Sequence, residues 1–70
     1  MTLTMKRFWC HEEVGVNHTV DIARVCQDEV PAAGETVLVM ARNGYWFGRA
    51  RKVRAGRSGY RFKIEITGRS

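Results

Sequence analysis

Apolar and polar residues alternate with a period of two along most of the chain, the spacing of a strand with one buried and one exposed face. The pattern is sharpest at 60–67, YRFKIEIT, where Tyr60, Phe62, Ile64 and Ile66 share one face and Arg61, Lys63, Glu65 and Thr67 the other. The first of these faces is expected in the core. Residues 5–12, MKRFWCHE, and 18–26, HTVDIARVC, read as two earlier strands, with GVN at 15–17 as a turn between them. A helical stripe through Val14, His18, Ile22, Val25 and Cys26 is the alternative for 18–29, but β-branched content and the lack of a good C-cap favour strand. QDEVPAAG at 27–34 is the long irregular connection, since Pro31 and Gly34 break any regular element.

Two further strands flank Asn43-Gly44, a dipeptide suited to the type I′ turn of a hairpin because both turn positions need positive φ. A two-residue turn there pairs Arg42 with Tyr45, Ala41 with Trp46, Met40 with Phe47, Val39 with Gly48, Leu38 with Arg49, Val37 with Ala50 and Glu35 with Lys52. One hairpin face then carries Val37, Val39, Ala41, Trp46, Gly48 and Ala50, a single indole among small residues, as the inside of a tight barrel requires. The other carries Leu38, Met40, Arg42, Tyr45, Phe47, Arg49 and Arg51. It is apolar and cationic at once, whereas an ordinary solvent face would be polar throughout. Either strong coiling, helped by a bulge at Gly48, draws Leu38 and Met40 into the core, or the face is a contact patch, which self-association as a homodimer would also hide. With AGRSG at 55–59 as the last turn, residues 1–70 are expected to form one all-β domain. Five short strands should close into a small antiparallel barrel, because closure removes exposed edges.

Seventy residues hide only about 60% of the surface of the unfolded chain, which leaves little room for a deep substrate cleft. A binding module is expected rather than an enzyme, with no cofactor and no small-molecule substrate. His11, His18, Glu12, Glu13 and Cys10 crowd the N-terminal third without a recognisable catalytic arrangement. Cys10, Cys26, His11 and His18 fit no zinc-ligand spacing, so no metal is expected. MTLTMKRFWC lacks an apolar leader core and no run is long enough to span a membrane, which points to a cytoplasmic protein. There the two cysteines are expected to be reduced, half-buried small hydrophobes.

The formal charge is +5, and its distribution says more than its total: residues 1–41 hold three basic and six acidic side chains, residues 42–70 nine basic and one acidic. A basic second half suggests a positive face for nucleic acid or an acidic protein. A membrane partner is not expected, because no amphipathic helix is present to insert.

From Gly34 to Val53, G-x-x-V-L-V followed by N-G, then Y-W-F and R-A, resembles the start of SH3-like barrels of the Tudor and PWWP type. The resemblance implies an SH3-like fold in which Gly34 opens a barrel strand and Trp46 lies in or beside the core. The aromatic cage of that family has no placeable counterpart, so methyl-lysine reading is not implied. The small plasmid-type dihydrofolate reductases share a similar glycine-valine-tryptophan pattern, but their V-Q-I-Y segment is absent.

The leading expectation is nucleic-acid binding, with Arg49, Arg51, Lys52, Arg54, Arg57, Arg61 and Lys63 on phosphates and Tyr45 or Phe47 on bases or sugars. Arg42 belongs to the same arginine-rich hairpin. The alternative is a protein-interaction module or inhibitor, of the sort compact mobile elements encode, docking its aromatic and arginine patch on an acidic protein.

Overall fold

A computed structural model describes residues 5–70; residues 1–4, the beginning of the segment searched for a leader, lie outside the described residues. Five strands form one sheet: β1 (Arg7–Trp9), β2 (Thr19–Arg24), β3 (Thr36–Ala41), β4 (Gly44–Gly56) and β5 (Gly59–Arg69), with a 3-10 turn at Gln27–Glu29. The β-branched run at 19–24 is thus a strand, not a helix. The sheet order is β1-β3-β4-β5-β2, and it curls into a half-barrel.

The pairing is antiparallel except at one edge, where β1 runs parallel to β3, with Arg7 opposite Leu38 and Trp9 opposite Met40. The expected small all-β barrel-like fold is present, but its sheet is mixed, and β1 and β2 are its two edges. A parallel neighbour requires a crossover, and residues 10–35 supply it.

That crossover covers one end of the half-barrel. Cys10 donates its backbone N–H to Met40 O at 3.0 Å, and Arg42 donates to Glu12 O at 3.1 Å, so the chain leaving β1 continues along β3. The Asn43 side chain then holds Val14 by two bonds, accepting from Val14 N at 3.1 Å and donating to Val14 O at 2.8 Å. Asn17 N donates to Ile66 O at 2.9 Å, which seats the chain on β5 just before β2 begins.

Inward residues of all five strands meet in one core of Phe8, Cys10, Val14, Ile22, Val37, Val39, Ala41, Trp46, Phe62, Ile64 and Ile66, against which Val20, Val30 and Val53 pack. Phe8 and Phe62 meet edge to face with ring centroids 5.2 Å apart, and the Arg24 guanidinium lies 5.2 Å from the Phe8 centroid. Side chains, rather than a ladder, join the two edges at this end. Cys10 is buried and Cys26 exposed, so the pair does not share the half-buried environment the sequence suggested.

The β3–β4 hairpin turns one residue earlier than the Asn-Gly rule implies. Its central residues are Arg42 and Asn43, neither at positive φ, and Gly44 follows at φ 121°. Glycine after two ordinary turn residues is the signature of a type I turn, not type I′. The same plan recurs at Gly56–Gly59, where Arg57-Ser58 turn and Gly59 takes φ 130°. The observed register pairs Val39 with Trp46, Leu38 with Phe47 and Met40 with Tyr45, in place of the pairs expected. Moving the pairing by two residues preserves which side chains share a face. Val37, Val39, Ala41, Trp46, Gly48 and Ala50 are all buried.

Candidate functional site

Parity along β4 decides where its basic residues point. Trp46, Gly48 and Ala50 face inward, and a strict period of two would carry Lys52 and Arg54 inward as well. The ladder shifts instead: Arg51 pairs with Lys63 and Arg54 with Arg61, so that Lys52 and Val53 together oppose Phe62. Lys52 takes φ 52°, a left-handed conformation that the bulge imposes. The extra residue turns Val53 toward the core and Arg54 outward.

The outer face consequently carries cross-strand rows. Arg54 stands opposite Arg61 on β5, Arg51 opposite Lys63, and Arg49 opposite Glu65. Arg51 Nη1 lies 2.9 Å from Glu65 Oε1, and Lys63 Nζ 3.8 Å from Asp21 Oδ1. Among the described residues Arg49, Arg54 and Arg61 make no ion pair. Like charges directly opposite in a ladder cost stability, on the order of a few tenths of a kcal/mol to 1 kcal/mol per pair. The Arg54–Arg61 row is therefore unfavourable for the fold taken alone, whereas Glu65 and Asp21 offset the Arg51–Lys63 row. Beside them an open cleft is lined by Arg24, Glu29, Arg54, Arg57, Tyr60 and Arg61.

Toward the other end of the same face the rows become mainly apolar, with Arg7 of β1 opposite Leu38. Leu38 and Phe47 are paired and half-buried, Met40 and Tyr45 are paired, and Trp9 on β1 extends the second row. Tyr45 is 58% exposed and Trp9 63% exposed. Leu38 and Met40 do not turn inward, although the ladder does shift at Phe47/Gly48. A Cβ on Gly48 would overlap Ile64 Cγ2 and lie 3.2 Å from Glu65 O, so only glycine permits β4 and β5 to approach there.

Of the ten residues singled out in the sequence, Tyr45, Phe47, Arg49, Arg51, Arg54, Arg61 and Lys63 share this face. Arg57 lies at the β4–β5 turn, Lys52 in the bulge, and Arg42 in the opposite turn. Trp9 was not among them. Its signal was present, since Phe8 and Cys10 as core residues oblige the residue between them to point out. Arg69 was also missed: its guanidinium stacks 5.5 Å from the Trp46 ring centroid, where Trp46 Nε1 is buried without a hydrogen-bond partner. Gly34, at φ 87°, precedes β3, and Trp46 lies in the core. Both placements are compatible with an SH3-like barrel.

His11, Glu12 and Glu13 are exposed beside the hairpin turn, away from the cationic rows, and His18 Nδ1 accepts from Gly15 N at 3.1 Å. Among the described residues no group of three or more His, Cys, Asp or Glu is placed to hold a metal ion, and no helix is long and apolar enough to cross a membrane. Comparison with family models, with curated proteins and with solved structures finds no match for the chain.

Proposed function

We propose that the protein is a nucleic-acid-binding module of SH3-like type whose outer sheet face contacts the phosphate backbone. The supporting observation is the like-charged row of Arg54 opposite Arg61, neither of which has an acidic partner among the described residues. An arrangement that costs folding energy alone becomes favourable when polyanion phosphates lie between and above the cations. Arg49, Arg57 and Lys52 extend the field at its margins.

The test is filter binding of a mixed-sequence oligonucleotide at low salt, with alanine at Arg49, Arg54, Arg57, Arg61 and Lys63 one at a time. Losses of similar size spread evenly over the cations are expected, since each contributes mainly through charge. No retention by the unmodified protein would refute the reading.

A second reading, docking on an acidic protein, draws on the Trp9–Met40–Tyr45 row, which carries no charge. It predicts the opposite ranking, with Met40→Ala and Phe47→Ala costing more than any arginine, because buried anchors dominate protein interfaces.

A further inference from the structure

Trp9, Met40 and Tyr45 lie in one row across β1, β3 and β4. Strand spacing puts the backbones of Trp9 and Tyr45 about 10 Å apart. Neither ring has an aromatic or cationic side chain stacked on it among the described residues. Two broad, unstacked π-faces on an open sheet are costly to leave in water. From Tyr45 the outward residues of β4 run Phe47, Arg49, Arg51 and, past the bulge, Arg54, in steps of about 7 Å. A track of aromatic, then cationic, side chains spans the sheet, whose host molecule measures 32 × 32 × 17 Å.

Among the described residues the fold also lacks the helix or free ribbon that enters a major groove. No α-helix occurs among the described residues. The β4–β5 arm is not a free two-stranded ribbon either, because β2 pairs beside it as far as Arg24 opposite Tyr60, one residue from Gly59. A five-stranded sheet is about 19 Å wide by strand spacing, more than the roughly 12 Å of the major groove. Bases inside a duplex offer no faces for stacking, whereas unpaired bases do. A second copy of this chain is a poorer occupant, since the face belongs to a protein of formal charge +5 and would bring one set of cations toward another.

We propose that this face binds single-stranded nucleic acid, with Trp9 and Tyr45 stacking on unpaired bases while Arg49, Arg51, Arg54, Arg61 and Lys63 follow the backbone. The proposal rests on the nucleic-acid reading above and specifies the form of its ligand. Tyr45 and Trp9 supply affinity that does not depend on base identity, because every base has a π-face.

The test titrates the full chain with a single-stranded oligothymidylate and with a duplex of equal length, following tryptophan emission and, separately, anisotropy of a labelled strand. Single strand is expected to bind more tightly than duplex and to quench Trp9, and Trp9→Phe is expected to abolish the quenching while leaving the Trp46 signal. Trp9→Ala and Tyr45→Ala should each weaken single-strand binding by about fivefold to a hundredfold and leave duplex binding unchanged. Both residues are exposed, and unchanged thermal unfolding of the variants confirms that the fold is retained. Equal affinity for both forms with no effect of Trp9→Ala overturns the single-strand proposal and leaves the phosphate-binding reading standing. Binding to neither form at low salt overturns both. Conversion of a dimer to a monomer by Trp9→Ala, seen by sedimentation, gives the face to a second copy and overturns the proposal.

Discussion

Gly48 and Asn43 carry structural roles that their small size conceals. Replacing Gly48 with alanine forces its new methyl into Ile64 and the Glu65 carbonyl, so Gly48→Ala should lower stability by about 1–3 kcal/mol in urea denaturation, the usual cost of overpacking. Asn43 bonds both polar groups of the Val14 backbone. Asn43→Ala leaves that donor and acceptor without their partner and should cost about 1–3 kcal/mol. Glu65 differs, because its ion pair with Arg51 is exposed and worth little, about 0–1 kcal/mol. Glu65→Gln should therefore leave the melting temperature nearly unchanged while strengthening oligonucleotide binding severalfold, by freeing Arg51 and removing a carboxylate from the cationic rows. Weakened binding would show that Glu65 instead holds Arg51 in its working position.

At the scale of elements, the bulge in β4 determines what the surface can do. Lys52 is held at φ 52°, a conformation that β-branched residues resist strongly. Lys52→Val should lower stability by about 1–2 kcal/mol, and Lys52→Gly should leave it equal or higher, as thermal unfolding of the two variants would show. Equal melting of both would mean that the strand does not need this kink. The bulge was not legible in the sequence, because Arg51-Lys52-Val53-Arg54 offers no glycine to mark it. The buried face of β5 was legible from Phe62, Ile64 and Ile66, whereas the sequence sorted the hairpin residues into two faces without deciding which was buried, because Leu38, Met40 and Phe47 make the second face apolar as well. The exact hairpin register was not legible either: Asn43-Gly44 suits two turn types that differ by one position, and Asn43 is engaged by Val14, a residue 29 positions away. The parallel placement of β1 on β3 is a long-range pairing with no local signature. Trp9 was missed as a site residue although the alternation of Phe8 and Cys10 around it gives its outward direction; that it extends the Met40–Tyr45 row depends on the long-range pairing of β1.

Over the whole molecule, charge and shape combine in one gradient. The acidic first half supplies β1, β2, β3 and the crossover, while the basic second half supplies β4 and β5, and along β4 the outer face grades from Tyr45 to the arginine rows. The half-barrel interior is filled by Trp46, Phe8 and Phe62, which leaves the outer face and the clefts along β2, β4 and β5 for binding. The central claim is that this face holds a polyanion through several simultaneous phosphate contacts. The most direct measurement is the affinity for a labelled single strand across a range of salt concentrations. With about four phosphates neutralised, log K should fall against log salt with a slope near −3, from about 0.7 per contact, and Arg54→Gln with Arg61→Gln should bring the slope to about half of that. An affinity that does not change with salt would contradict the account.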